Sequence, residues 1–117
     1  MKDILEKLNK SVGVKGSMIV TSDGITVASV LGKDMDENLV AAMASNTIHN
    51  AKKALKKLEA QTFDQFVLTA TYGKMVFVDV GVAFIVVVTD KEIHLDQTLI
   101  DVSSAAYRIR SLGHLNV

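Results

Sequence analysis

The chain has 117 residues, 49% of them apolar and 22% charged, with thirteen Lys+Arg balanced by thirteen Asp+Glu. That length suits one domain, and the neutral balance argues against gripping nucleic acid or an anionic membrane through bulk charge. The absence of cysteine excludes a disulfide framework, thiolate metal sites and thiol catalysis.

From Asp3 to Val12, the residues Ile4, Leu5, Leu8 and Val12 recur at helical spacing. Asp3 and Glu6 form an Asp-x-x-Glu capping box, and Gly13 is the expected left-handed stop. Met1 to Val12 contains no long apolar stretch, so no targeting peptide is expected. Gly16 to Thr21 and Ile25 to Val30 are β-branched and roughly alternating, and Asp23-Gly24 between them predicts a tight hairpin turn.

Asp34-Met-Asp-Glu37 opens a second helix, expected from Met35 to about Ala60, with no glycine or proline inside it. Acids stand at its start and Lys52, Lys53, Lys56 and Lys57 near its end, an order that complements the helix dipole. Three strands follow: Asp64 to Thr71, Met75 to Val80, and Ala83 to Val88, with turns at Tyr72-Gly73-Lys74 and Gly81. Ala83 to Val88 is apolar at every position, so both faces of that strand must be covered by helices. A last helix runs from about His94 to Leu112 on the stripe Leu95, Leu99, Val102, Ala106 and Ile109, and Gly113 is expected to stop it. The longest apolar run, Val80 to Thr89, is shorter than the roughly 20 residues that cross a bilayer. A soluble cytoplasmic domain without membrane insertion is the expectation.

Chemistry-bearing motifs are sparse. There is no glycine-rich phosphate loop and no Gly-x-Ser-x-Gly elbow, so no catalytic residue and no cofactor is expected. His49, His94 and His114 lack metal-motif spacing. Asp34, Asp36 and Glu37 read as helix caps rather than metal ligands, and Asp79 as a residue of a strand end. The four lysines span an arc of about 140° on their helix, a basic face that suits acidic partner loops or anionic lipid, or else a solvated helix end.

The front of the long helix carries more apolar surface than one sheet contact requires. Val40, Ala44, Ile48, Ala51, Leu55 and Leu58 serve the sheet face and leave Leu39, Ala42 and Met43 over. Small residues and a flexible Met suit a protein contact. If the strand from Asp64 to Thr71 lies at a sheet edge, its unpaired backbone invites a second copy, giving a twofold dimer with a continuous sheet.

With this element order, the chain resembles the Roadblock / dynein light chain domain family. The likeness rests on Gly13-Val-Lys-Gly16, on the strand-turn-strand from Ile19 to Ser29, on the Ala-rich long helix and on Ile85-Val-Val-Val-Thr-Asp90 before the last helix. It implies an α+β fold: a five-stranded antiparallel sheet with the first and last helices on one face and the long helix on the other. It also implies dimerisation through the middle strand and the long helix, here Phe66, Val67, Leu68, Thr69, Thr71, Leu39 and Met43.

Similar proteins regulate small Ras-like GTPases, as the MglB-like members do, or serve as light chains in motor and signalling assemblies. A GTPase surface carried over by helix position takes in Ala42, Asn46, Asn50 and Lys53 beside Leu39 and Met43. The resemblance therefore implies a non-enzymatic homodimer that binds a small GTPase, or a structural adaptor subunit. A profilin- or PAS-like small-ligand sensor would need a polar pocket inside the core, and the core residues offer no polar cluster. Arg108 and Arg110, the only arginines, fall in the last helix, away from the long one.

Overall fold

Five β-branched stretches form strands and three stretches with helical apolar spacing form helices. Their order is α1 (Lys2–Leu8), β1 (Val14–Val20), β2 (Thr26–Val30), α2 (Glu37–Lys57), β3 (Gln65–Ala70), β4 (Gly73–Asp79), β5 (Phe84–Asp90) and α3 (Leu95–Leu115). The computed structural model describes residues 1–59, 63–71 and 73–115, with side chains through residue 112. The strands make one antiparallel sheet in the order β2-β1-β5-β4-β3, so β5 is central and β2 and β3 are edges.

The α+β architecture is the expected one. Side chains alternate across the sheet and fill two separate cores. Ile19, Val76, Val78, Ile85 and Val87 meet Ile4, Leu5 and Leu8 of α1 and Val102, Ala106 and Ile109 of α3. On the other face, Met18, Val20, Phe77, Phe84 and Val86 meet Ala41, Ala44 and Ile48 of α2. The uninterrupted apolar run of β5 is thus explained, since each of its faces lies under a helix layer. Each large side chain buried here contributes about 1.5–3 kcal/mol.

Several local details differ from the sequence reading. Helix α1 ends at Leu8, beyond which the N–H groups of Lys10 and Ser11 bond back only three residues, to Lys7 and Leu8; the Asn9 side-chain amide donates to the Val30 carbonyl (2.9 Å) and accepts from Ser17 Oγ (2.6 Å). Gly13 takes positive φ (+84°) in the following turn rather than at the helix end. Asp3 caps nothing. It pairs instead with the Met1 ammonium (3.3 Å), whose hydrogen bond lowers the pKa of the carboxyl.

The hairpin loop has three residues, Ser22 to Gly24. The Gly24 N–H donates to the Thr21 carbonyl, and Gly24 alone carries positive φ (+89°). Helix α2 begins later and ends earlier than expected. Asp36, not Asp34, is its cap, and Glu59 beyond its end is left-handed (φ +64°). Gly73 is the first residue of β4 rather than part of the turn, and it pairs with Ala70 and Asp90. A Cβ there would collide with the Thr89 carbonyl oxygen, so the close strand contact requires glycine. Helix α3 continues through Gly113 to Leu115. Tyr72 and Ala60 lie outside the described residues, as does the side chain of His114.

Candidate interaction surface

Helix α2 is held at its N-terminal end and by one face. Asp36 Oδ1 accepts from the N–H groups of Asn38 (2.9 Å) and Leu39 (3.2 Å), satisfying orphan donors of the first turn. Glu37 accepts from Ser29 Oγ of β2 (2.7 Å). Farther along, Ser45 Oγ donates to the Ser22 carbonyl (2.7 Å), tying the hairpin turn to the helix. The buried face is Ala41, Ala44 and Ile48. Ala41 was not expected on it, and Leu58, which was, is exposed. The cause is rotation: Ala41, Ala44, Ile48, Ala51 and Leu55 follow i, i+3, i+7, i+10, i+14 spacing, the last two half-buried, whereas Val40 and Leu58 stand to one side of that line, half-buried and exposed respectively.

The opposite face is open. Leu39 and Met43 are 58% and 52% exposed, and Ala42, Asn46, Asn50 and Lys53 are exposed with them. Leu39, Met43, Asn46, Asn50 and Lys53 follow i, i+4, i+7, i+11, i+14 and so form one ridge. It grades from apolar to amide to cationic.

A trough lies on each side of this ridge. The first is a groove of about 490 Å³, where Met43 stands over Leu68, Ala70, Met75 and Val88, with Lys15 and Lys74 also lining it. The sheet register explains it. Leu68, Met75, Val88 and Gly16 form one cross-strand row on the α2 side. The Gly16 end of that row is covered by the side chains of Leu31 and Met35, Met75 and Val88 are half-buried, and Leu68 at the other end is exposed. The next row, Phe66, Phe77, Val86 and Met18, packs into the core under α2. The second trough, about 390 Å³, lies between the hairpin turn and α2 and is lined by Asp23, Asn38, Ala42, Ser45, Asn46 and His49.

The residues expected at a dimer interface therefore divide. Leu39, Met43, Leu68, Thr69 and Thr71 are exposed, and β3 is a true edge. Phe66 is half-buried and stacked on Phe77 (centroids 4.4 Å apart, 8° between planes), and Val67 packs against the α1–α3 core. Ala70, Met75 and Val88 were missed, although strand alternation already places Leu68 and Ala70 on one face. Lys52 does not share the free basic face: its Nζ lies 3.3 Å from Ser22 Oγ and 5.1 Å from the Phe84 ring centroid. Lys53, Lys56 and Lys57 are exposed.

The remaining polar candidates are structural. Asp79 ends β4 and its Oδ1 accepts from the Gly81 N–H (2.6 Å). Its carbonyl accepts from Arg110 of α3. His49 is an exposed helical residue, and the His94 carbonyl accepts the Thr98 N–H at the start of α3 (3.0 Å). The buried polar residues Ser17, Thr89 and Thr98 hydrogen-bond within the chain, to Asn9, Asp90 and His94 respectively. Among the described residues no helix is long and apolar enough to cross a membrane.

The Roadblock/LC7 domain family model matches residues 1–89. An uncharacterized protein of Methanocaldococcus jannaschii, MJ1340, is 36% identical over 109 residues, covering 93% of this chain and 96% of that protein. Among solved structures, Myxococcus xanthus MglB superposes with a TM-score of 0.89 at 15% identity, over 97% of this chain and 94% of that one. A structure described as MglB with tetrameric arrangement gives 0.88 at 16%, over 98% and 88%. At such identities the structural likeness concerns the fold.

Proposed function

This chain belongs to the Roadblock/LC7 family, and on that footing we propose that it works as a homodimer that docks a small Ras-like GTPase and modulates its nucleotide cycle. Membership of that family suggests a regulator or adaptor. The observation that carries the finer reading is the continuous open surface made by the α2 ridge, the groove beside it and the β3 edge.

The groove side supplies the self-contact. Met43 and Leu68 are large apolar side chains left half in water, and the backbone of β3 has one free side. A twofold copy pairing β3 with β3 would extend the sheet and bring two α2 helices together. The solved MglB described as tetrameric supports self-association in this fold.

The polar half of the ridge, Asn46, Asn50 and Lys53 beside Ala42, then remains for the GTPase. Regulation by this surface acts through the partner's own groups. Ordering or displacing a switch loop changes how those groups meet the γ-phosphate. Arg110 is engaged on the far side of the sheet and Arg108 lies on the same helix, so neither serves as an inserted finger.

The test is titration of the chain against small Ras-like GTPases of its own genome, loaded with GDP and with a GTP analogue. Binding to one loaded form, with a changed rate of hydrolysis or exchange, is the expected result. Absence of binding in both states would refute the proposal. Binding without any change in rate would leave the adaptor reading.

A further inference from the structure

Helices α1 and α3 pack side by side over the sheet face opposite α2, and a groove runs between them. We infer that this groove docks an acidic segment of a partner protein, one that sets a carboxylate beside an apolar side chain. The groove lies across the sheet from α2, so the inference does not depend on how α2 and β3 are used.

Side-chain size builds the groove. Ile4 and Leu8 of α1 and Ala105 of α3 are buried and form its floor. Ser104 and Ala105 are too small to fill the space beside α1, and a hollow of about 140 Å³ remains. Lys7 lines it from α1 and Arg108 from α3, and both are exposed. Among the described residues the ion pairs are Met1–Asp3 and Lys15–Asp90, so neither cation is matched by an acid of its own chain. One acid, Asp101, lines the hollow, and both its oxygens are engaged. Its Oδ2 accepts from Ser11 Oγ (2.7 Å) and its Oδ1 from the Gln97 amide (3.1 Å). The hollow thus offers an incoming anion two unmatched cations and the Ser104 hydroxyl.

Arg108 also lines a second hollow of about 400 Å³ along the same groove, together with Ile4, Tyr107 and Leu112. Tyr107 is 72% exposed there. Asp3 at this rim is paired with the Met1 ammonium (3.3 Å). A cationic pocket therefore opens onto an apolar shelf, with Arg108 at the junction. That order selects the occupant. A carboxylate meets the Lys7 ammonium and the Arg108 guanidinium, whose fork of donors matches its two oxygens. A leucine or phenylalanine beside that carboxylate covers Tyr107 and Leu112. A free phosphate would leave the shelf empty and would set its second charge against Asp101.

The probes are two synthetic peptides of equal length, one alternating glutamate with leucine and one alternating glutamine with leucine, and inorganic phosphate. Each is titrated into the isotope-labelled chain while backbone amide resonances are followed. The glutamate peptide should move the amides of Ile4 to Ser11 and of Asp101 to Leu112. It should bind about tenfold more tightly than the glutamine peptide, as two exposed ion pairs together allow. Lys7→Gln combined with Arg108→Gln, both at exposed positions, should remove that preference, whereas Lys10→Gln, exposed but outside the groove, should keep it. Unchanged sheet amides in each variant show that it is folded. The inference is overturned if the glutamate peptide leaves the α1 and α3 amides in place, if both peptides bind equally, or if the perturbation falls on α2 or β3. It is equally overturned if the double variant retains the preference, if Lys10→Gln abolishes it, or if phosphate moves the same amides as strongly as the glutamate peptide.

Discussion

Asp36→Ala probes how the interaction ridge is held. The substitution removes the oxygen that accepts from Asn38 and Leu39 N–H, at 2.9 and 3.2 Å. Loss of such a cap costs about 1 kcal/mol, and loss of a negative charge at a helix N-terminus adds about 0.3–1 kcal/mol. The sum is about 1.5 kcal/mol, which lowers Tm by about 6 °C in a domain of this size. Urea unfolding followed by far-UV circular dichroism measures it. Two controls separate the causes. Asp36→Asn keeps an acceptor and loses the charge, so its cost should fall between wild type and Asp36→Ala. Asp34→Ala touches an exposed residue outside the helix and should stay within about 0.5 kcal/mol of wild type. The reasoning fails if Asp34→Ala costs as much as Asp36→Ala, or if Asp36→Ala is neutral.

Three further substitutions test the packing. Ile48→Ala empties a fully buried position under α2 and should cost about 2–5 kcal/mol in the same unfolding experiment. Asn9→Ala leaves the Val30 carbonyl without the amide that joins α1 to β2, and Ser17 Oγ without its short bond; a loss of about 1–3 kcal/mol is expected. Gly73→Ala forces β4 away from Thr89 and should lower Tm and speed amide exchange in β4 and β5, whereas Gly32→Ala, where a Cβ makes only ordinary contacts at 3.6 Å and 3.7 Å, should leave that exchange in place.

The physics of the chain made some features readable and hid others. The β5 run from Phe84 to Val87 could be placed between two helix layers because no one-sided strand tolerates that pattern. The surplus of Leu39, Ala42 and Met43 was readable because a helix on a sheet buries only one stripe. The rotation of that stripe was not, since Val40 and Ala41 are equally compatible with a core and only the sheet beneath decides between them. Asp34 and Asp36 both look like caps in the sequence, and the backbone chooses the one whose φ is extended at −83°, ψ 116°. The groove floor of Ala70, Met75 and Val88 required the strand order, because those residues come from three strands. Asn9 was invisible for a similar reason: its partners lie 8 and 21 residues away.

The central claim is that the exposed groove and the β3 edge are covered by a second copy. Light scattering of the purified chain at micromolar concentration tests it most directly. The account predicts a mass of twice 12.7 kDa for the wild type, and a single-chain mass once Met43→Glu charges the groove and Thr69→Pro removes a donor from the edge strand. A monomeric wild type, or a double variant that stays dimeric, would contradict it.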